Sequence, residues 1–143
     1  MIRIPLISET VETSTRVEMI DVTERVQQIV RTKAVNEGFA IVAVPHTSAA
    51  ITINENADPD VKQDILKKLD TLVPQMESFY QHDEGNSDAH VKTVLVGSSI
   101  TVLIEAGRLV LGRWQGIYFC EFDGPRERRM NVKIFSTDPP RTD

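Results

Sequence analysis

The sequence predicts an α+β fold: a single domain of packed mixed β-sheets with about three helices. The chain has 143 residues, the usual length of one domain. It contains no repeat of solenoid period and no Gly/Ser-rich linker. Strand-like and helix-like segments follow in the order ββαββααβ…β, which is neither an alternating βαβ array nor all-β. We expect the domain to span residues 1–136, followed by a flexible tail at 137–143.

The first part of the chain is predicted to hold four strands and one helix. Four segments have the composition of strands, and they span residues 3–9, 16–22, 39–44 and 49–54. Thr23 is expected to be the N-cap of a helix that Gly38 closes. The run at 39–44 is short and wholly apolar, which predicts a central strand buried on both faces.

Two more helices and four more strands are predicted in the rest of the chain. Asp58 is expected to be the N-cap of the second helix, with Pro59 at its first position. The third helix is expected to end at Gly97 and to carry a stripe of three apolar residues: Val91, Val94 and Leu95. Four later segments read as strands between Gly turns: 100–105, 109–111, 117–122 and 130–135.

Composition excludes several classes of protein. The net charge of −5 and the pI near 5.2 argue against nucleic-acid binding, which requires a basic face. No run approaches the roughly 20 apolar residues of a membrane span, and the start does not resemble a signal peptide. The single cysteine, Cys120, fits a reducing cytosol and a small core residue. We therefore expect a cytoplasmic protein without nucleic-acid or membrane partners.

All three histidines lie in the middle third of the chain, near several carboxylates and amides. His46, His82 and His90, with a carboxylate, suit zinc or another divalent ion if the fold brings them together. They do not form an H-E-x-x-H motif, so this prediction is conditional. The alternative for His46, which follows an apolar strand, is a structural histidine with its hydrogen bonds satisfied.

The segment before the third helix has two interpretations. The N–H groups at a helix start can hold a phosphate, Gly85 permits close backbone approach, and Asn86 and Ser87 can donate hydrogen bonds. The simpler interpretation is that Ser87 or Asp88 caps the helix. Spacing alone favours the simpler one, because a lone Gly-Asn-Ser is a weak motif.

The triplet Asn54-Glu55-Asn56 ends a strand, where Asn commonly fills a turn. Glu55 is less expected in a turn, so it is the member best suited to act as a base or ligand.

Five residues in the last part of the chain also have alternatives. Trp114 is typical of a core or an interface. Glu121 either faces inward in an ion pair or faces solvent. The arginines at 126, 128 and 129 either bind phosphate across a subunit boundary or lie in a solvated turn.

Several blocks follow one another in order and without large gaps. They are His46-Thr47-Ser48-Ala49-Ala50, Asn54-Glu55-Asn56 with Asp58-Pro59-Asp60-Val61, Glu84-Gly85-Asn86-Ser87-Asp88-Ala89-His90, Trp114-Gln115, and Tyr118-Phe119-Cys120-Glu121-Phe122-Asp123-Gly124-Pro125. Together these blocks resemble the YjbQ family, labelled the secondary thiamine-phosphate synthase enzyme family. One departure is Arg113, which stands where the family usually has Thr.

The resemblance implies a trimer-forming cytoplasmic protein with a weak, secondary thiamine-phosphate synthase activity. That reaction joins hydroxymethylpyrimidine diphosphate to a thiazole phosphate and releases pyrophosphate. Two alternatives stay open: a homotrimer that binds a metal or a phosphate metabolite without catalysis, and a metal-dependent phosphate-ester hydrolase.

Matching this chemistry to the sequence assigns three groups of candidate residues. The catalytic candidates are His46, Glu55, Asp88 and His90. The candidates for binding the phosphorylated small-molecule substrate are Asn54, Asn56, Gly85, Asn86, Ser87 and Gln115. The metal candidates, for zinc or magnesium, are His46, His82 and His90.

Overall fold

Two antiparallel sheets form the framework of the protein in a computed structural model that describes residues 2–141. The strands are β1 (Ile2–Arg3), β2 (Ile7–Glu12), β3 (Glu18–Asp21), β4 (Gly38–Ala43), β5 (Ala49–Glu55), β6 (Ser99–Glu105), β7 (Arg108–Leu109), β8 (Gln115–Glu121) and β9 (Glu127–Ser136). The larger sheet has the order β1-β9-β4-β6-β7, with β2 also paired to β9, and the smaller has the order β3-β8-β5. The predicted α+β class and single domain are confirmed. The sheets are antiparallel rather than mixed.

Three helices complete the fold: α1 (Thr23–Thr32), α2 (Pro59–Leu72) and α3 (Ser87–Val96). The predicted start of α2 is confirmed, because the Asp58 side chain accepts a hydrogen bond from the N–H of Asp60 at 2.9 Å. The prediction that Thr23 caps α1 is wrong. Its N–H and hydroxyl both donate to Asp21, so Thr23 is the first helical residue.

Gly38 was predicted to close α1, but it begins β4 instead. The helix ends at Thr32, and Ala34 adopts a left-handed conformation with φ of 54° just beyond it. A Cβ at Gly38 would lie 2.0 Å from the carbonyl oxygen of Phe135. Glycine is required here because the neighbouring strand β9 approaches too closely for a side chain.

The molecule has three layers. The main core lies between the inner faces of the two sheets, and α1 contributes Val26, Ile29 and Val30 to it. A second apolar cluster lies on the outer face of the smaller sheet, where it packs against α2 and α3. Strand β4 is central but is buried on one face only, because its alternate residues Phe39 and Ile41 are partly exposed. The prediction of a strand buried on both faces is therefore wrong.

Helix α3 has the reverse of the usual arrangement of polar and apolar residues. An apolar stripe ordinarily faces the core. Here Val91, Val94 and Leu95 are 40%, 82% and 61% exposed, whereas Asp88 and Lys92 are 0% and 1% exposed. The orientation of α3 follows from the ion pairs that its charged face makes inside the protein.

The start of the predicted tail is bonded to the domain. The N–H of Thr137 donates to the carbonyl of Glu37, and the Asp138 carboxylate accepts the N–H groups of Asn36 and Glu37, each at 2.8 Å. Residues 142 and 143 of the predicted tail lie outside the described residues. Among residues 2–141, no helix is long and apolar enough to cross a membrane.

Candidate functional site

The loop between β4 and β5 holds His46 in one tautomer. Its Nε2 accepts a hydrogen bond from the backbone N–H of Arg129 at 2.9 Å. Because a backbone N–H can only donate, Nε2 must carry the lone pair and the ring proton must be on Nδ1. Burial lowers the pKa of His46, and the charge of Arg128 lowers it further, so the neutral form is favoured.

His90, on α3, is held in the opposite way. Its Nδ1 lies 2.9 Å from the carbonyl oxygen of Thr47, in the same loop as His46. A carbonyl can only accept, so Nδ1 of His90 carries a proton and Nε2 is the free nitrogen. His46, which lies in this loop, and His90, which is bonded to it, thus present opposite chemistry: a free N–H on His46 and a free Nε2 on His90.

His90 lines an open cavity of about 470 Å³ beside the start of α3. The cavity is lined by Phe79, Tyr80, Gln81, His82, Ser87, His90 and Val91. The rings of His82 and His90 lie edge to face with centroids 5.6 Å apart, and Nε2 of His82 is 3.5 Å from Glu84. Aromatic and imidazole rings therefore form a wall onto which a flat heterocycle can stack.

Neither Ser87 nor Asp88 caps α3. Asn86 occupies the N-cap position but makes no side-chain cap bond, so the first N–H groups of the helix are free of such a cap. Nδ2 of Asn86 instead donates to Asp123 at 2.8 Å, and its buried Oδ1 has no hydrogen-bond partner. Gly85 precedes it with φ of 73°, a conformation that favours glycine. The uncapped helix start fits the phosphate interpretation of this segment.

Asp88 lies at the centre of a buried ionic network. Its two oxygens accept hydrogen bonds from Arg16 at 3.0 and 3.2 Å, and Oδ2 also accepts from Lys92 at 3.3 Å. Lys92 bonds in turn to Asp70 on α2. Burial alone would raise the pKa of Asp88, but the bonds and charges of Arg16 and Lys92 outweigh it and lower that pKa. Asp88 is therefore an ionised carboxylate whose oxygens are engaged inside the protein.

The other predicted site residues lie at the far end of the smaller sheet. They are Asn54, Glu55, Asn56 and Gln115. Strand β5 begins at Ala49, next to the loop that holds His46, and ends at Glu55. Six steps along an antiparallel strand span roughly 20 Å. Within one chain, this group is therefore separate from His46, His90 and the start of α3.

The amides of this second group are bonded locally. Asn54 Oδ1 accepts the N–H of Glu55 at 2.7 Å, and Asn56 Nδ2 donates to Asp21 at 3.1 Å. Gln115 Oε1 accepts a backbone N–H three residues earlier, at 2.7 Å. These bonds shape the turns at this end of the sheet and leave the Glu55 side chain partly exposed.

Arg113 and Trp114 form part of the same end of the molecule. Trp114 is 52% exposed, so it does not belong to the core. The guanidinium of Arg113 lies 4.6 Å from the centre of the Trp114 ring. A cation in this position is attracted by the ring face.

The three-histidine metal centre does not fit the side chains of a single chain. Nε2 of His46 is occupied by the N–H of Arg129, whereas the bond from Nδ1 of His90 to Thr47 leaves Nε2 of His90 free. Across residues 2–141, no group of three or more His, Cys, Asp or Glu side chains is positioned to hold a metal ion.

Glu121 faces inward in an ion pair, which is one of the two alternatives that the sequence left open. Its carboxylate accepts hydrogen bonds from Arg128 Nε at 2.9 Å and from the Thr13 hydroxyl at 2.8 Å, and both charged residues are buried. Arg128 also donates to the Ser48 hydroxyl at 2.9 Å, which fixes the loop beside His46. Cys120 is buried, as predicted, and burial raises its pKa to about 12.

Sequence reasoning missed Arg16 and Lys92. Lys92 stands four residues after Asp88, the spacing of an ion pair on one helix face, so its sequence position carried a usable signal. Arg16 lies 72 residues away, and no local pattern predicted that contact.

Two larger cavities lie near α1, away from the predicted site residues. One, of about 550 Å³, lies between β2 and α1 and includes the Arg25–Glu9 ion pair. The other, of about 610 Å³, is lined by the segment after β9. Neither contains a histidine, so the cavity at His90 is the stronger candidate for chemistry.

Comparisons with known proteins identify close relatives over most of the chain. The family model described as "UPF0047 protein YjbQ-like" matches residues 8–137. The chain is 50% identical to UPF0047 protein YugU of Bacillus subtilis over 124 residues, which cover 87% of this chain and 94% of the relative. It is 44% identical to a UPF0047 protein of Archaeoglobus fulgidus over 126 residues, covering 87% and 96%.

Solved structures show the same fold. A Clostridium acetobutylicum protein of the yjbq/upf0047 family has a TM-score of 0.88 and 53% identity, covering 90% of this chain and 99% of that one. A protein of unknown function from Sulfolobus solfataricus has a TM-score of 0.87 and 32% identity, covering 92% and 96%.

Proposed function

Because the chain belongs to the YjbQ-like UPF0047 family, we propose that it is a weak, secondary thiamine-phosphate synthase-type transferase of the cytoplasm. The reaction joins hydroxymethylpyrimidine diphosphate to a thiazole phosphate and releases pyrophosphate. The observation that carries the proposal is the ring-walled cavity in which His90 lies beside the uncapped start of α3.

The chemistry of this reaction requires hydrogen-bond donors more than a base. The ring nitrogen of the thiazole attacks the methylene carbon of the pyrimidine substrate, a C–N bond forms, and the C–O bond to pyrophosphate breaks. The attacking nitrogen has a lone pair and no proton, so no base has to deprotonate it. The charge that grows on the departing pyrophosphate has to be stabilised by positioned donors.

The cavity supplies surfaces for both parts of such substrates. Phe79 and Tyr80 are adjacent aromatic residues in its wall, and a flat heterocycle can stack on them. Ser87 lines the same cavity and is the first residue of α3, where N–H groups and the helix dipole favour a phosphate.

His90 is oriented for a role at the phosphate end of this cavity. Its bond to Thr47 fixes the ring and leaves Nε2 as the free nitrogen. When both ring nitrogens are protonated, His90 keeps its Nδ1–H bond to Thr47 and can donate the Nε2 proton to the leaving pyrophosphate. A divalent metal, zinc or magnesium, stays a prediction, and no step of this mechanism passes through one.

Product analysis tests this function. Wild-type protein incubated with both substrates should form thiamine phosphate and pyrophosphate in equal amounts. His90→Ala should lower kcat/KM by about tenfold to a thousandfold, because it removes an oriented donor at the reacting groups. Lys67→Ala, on the exposed face of α2, is the control and should keep wild-type turnover. Absence of the joined product with wild-type protein would refute the proposal.

A binding protein without catalysis is the second candidate. The engagement of both Asp88 oxygens by Arg16 and Lys92 favours it, because a predicted catalytic carboxylate is thereby occupied. In the same assay, a binding protein would retain its phosphorylated ligand unchanged. A phosphate-ester hydrolase would release free phosphate without joining two heterocycles.

We also propose that the chain assembles as a homotrimer. One exposed apolar surface, the helix face, consists of Phe79, Val91, Val94 and Leu95. A second apolar surface, the sheet face, lies on the outer side of the larger sheet, where Leu103 and Val110 are exposed and the stacked rings of Phe39 and Phe135 are partly exposed. A ring needs two different surfaces on each subunit, whereas a twofold dimer pairs a surface with itself.

A ring of subunits also accounts for the separation of the predicted site residues. Glu55 and Gln115 lie at the far end of the smaller sheet from His90 within one chain. We propose that, in the trimer, the Glu55 end of one subunit lies beside the α3 start of the next and completes the site there.

A further inference from the structure

His46 has one ring nitrogen that is bonded inside the protein and one that is available. The N–H of Arg129 occupies Nε2, and the proton on Nδ1 has no carboxylate or carbonyl acceptor among the hydrogen bonds of the described residues. We propose that His46 is a neutral hydrogen-bond donor that binds a phosphoryl oxygen through Nδ1–H. This inference rests on the proposed function, because it names a residue that binds the pyrophosphate group of that reaction.

The same geometry argues against the two other roles predicted for His46. A general base and a metal ligand both need a free lone pair on a ring nitrogen. The Nε2 lone pair is used by Arg129, and Nδ1 carries the proton. In either role, His46 would have to lose the hydrogen bond that its Nε2 accepts from the N–H of Arg129.

The surroundings of His46 disfavour a second proton on the ring. Burial is the main cause that lowers the pKa of His46, the charges of Arg128 and Arg126 lower it further, and the charge of Glu121 opposes them. Arg128 is paired with Glu121 and Arg126 with Asp123. A neutral donor beside these arginines can bind an oxyanion without itself changing charge.

The loop that carries His46 is firmly positioned. The neighbouring Thr47 carbonyl accepts from His90, and Ser48 accepts from Arg128 through both its carbonyl and its hydroxyl. The donor on His46 is therefore pre-organised relative to the histidine that lines the cavity, which limits the entropy lost on binding.

Two substitutions separate the functions of the two ring nitrogens. Asn places an N–H group near the position of Nδ1, whereas Gln places a carbonyl oxygen near the position of Nε2 and can still accept from Arg129. We expect His46→Asn to bind inorganic pyrophosphate within about threefold of wild type. We expect His46→Gln to bind it roughly tenfold or more weakly, the effect of losing one hydrogen bond to a charged group.

The experiment combines nitrogen NMR of the full chain with pyrophosphate titration. The His46 ring of the wild type should show a protonated Nδ1 and a coupling across the hydrogen bond from the Arg129 amide nitrogen to Nε2. Added pyrophosphate should shift the Nδ1–H signal. Equal affinities of wild type and His46→Gln, equal losses in both variants, an unprotonated Nδ1, or no binding by wild type would each overturn the proposal.

The experiments distinguish a failure of the His46 proposal from a failure of the proposed synthase function. If binding follows the Asn/Gln pattern while no thiamine phosphate forms, the synthase proposal fails and the assignment of His46 stands. If thiamine phosphate forms equally well with wild type and His46→Gln, the synthase proposal stands and the assignment of His46 fails.

Discussion

Both carboxylate oxygens of Asp88 are bound by the guanidinium of Arg16, at 3.0 and 3.2 Å, across 72 residues of sequence. The Asp88 side chain is fully buried, whereas that of Arg16 is 31% exposed. Lys92 adds a second cation from the next turn of α3. This network links the segment before β3 to α3 and explains why the charged face of that helix is turned inward.

Removal of Asp88 should therefore destabilise the protein. Asp88→Ala leaves the buried Lys92 ammonium without its helix partner, and breaking a buried ion pair costs about 3–5 kcal/mol. Because Arg16 is partly exposed, the lower end of that range is expected. Urea denaturation measures the loss, with Asp64→Ala on the exposed side of α2 as the control. A loss below about 0.5 kcal/mol, the range of surface substitutions, would contradict this account.

The buried pair of Glu121 and Arg128 should make stability depend on pH. Burial alone would raise the pKa of Glu121, but hydrogen bonds from Arg128, Asp123 and Thr13 outweigh it and lower that pKa below its ordinary value of 4.5. The unfolded chain then takes up a proton at a higher pH than the folded one. The stabilisation is fully present above the unfolded-state pKa near 4.5 and is lost as pH falls through the folded-state pKa.

Glu121→Gln tests this dependence. The variant should be about 3 kcal/mol less stable than wild type at pH 7, because Arg128 keeps its buried charge without a counter-ion. The pKa of Asp88 is also lowered, so its protonation in acid also reduces the free energy of unfolding. This reduction is the same in wild type and in Glu121→Gln, and it cancels when the two are compared. Denaturation midpoints measured from pH 7 to pH 3 should therefore converge. A difference that is constant over this range would show that the pKa of Glu121 is not lowered by folding.

Two glycines should respond differently to alanine. At Gly38 a Cβ would meet the Phe135 carbonyl oxygen at 2.0 Å, so β9 would have to move. At Gly85 a Cβ would meet nothing within 4 Å, and only the positive φ of 73° opposes it. We expect Gly85→Ala to cost about 1–2 kcal/mol and Gly38→Ala to exceed that or prevent folding. Thermal or urea unfolding of both variants measures the difference, and equal costs would contradict the close approach at Gly38.

Local sequence signals predicted helices and strands well where interactions between neighbouring residues determine them. Asp58-Pro59 marked the start of α2, since a capping carboxylate followed by proline is sufficient to specify it. Gly38 misled the prediction because a glycine after a helix usually ends it, whereas this one serves a contact with β9, nearly one hundred residues away. Helix periodicity found the apolar stripe of α3 but not its direction, which the long-range pair with Arg16 determines.

The sequence predicted which types of residue form the candidate site, but not how they are arranged in space. The block from Gly85 to His90 predicted the start of α3 to within two residues and includes two residues that line the cavity, Ser87 and His90, but the aromatic wall of Phe79 and Tyr80 was not predicted. The tautomer of His46 was not predictable, because it depends on the backbone N–H of Arg129, 83 residues away. The separation of Glu55 from His90 also follows from the direction of β5, which no local pattern gives.

The exposed stripe of α3 should control assembly. Val94 is 82% exposed and is the most exposed member of the helix face. Val94→Glu places a charge in the proposed interface, where an unpaired buried charge is strongly unfavourable, and should shift the trimer towards monomer. Light scattering after gel filtration measures the mass, with Lys67→Glu as the control outside the interface. A monomeric wild type, or a Val94→Glu variant of unchanged mass and fold, would contradict the proposed assembly.

Mixed trimers should show whether Glu55 and His90 act in one site supplied by two subunits. Glu55→Ala and His90→Ala chains should each lose most of their turnover alone, because every site lacks one group. After the chains are unfolded together and refolded in equal amounts, random assembly in a ring gives about one quarter of interfaces with both groups intact. Turnover near that fraction of wild type is expected in the product assay. If mixing restores nothing, the two residues do not act from different subunits, and if Glu55→Ala alone is fully active, Glu55 does not belong to the site.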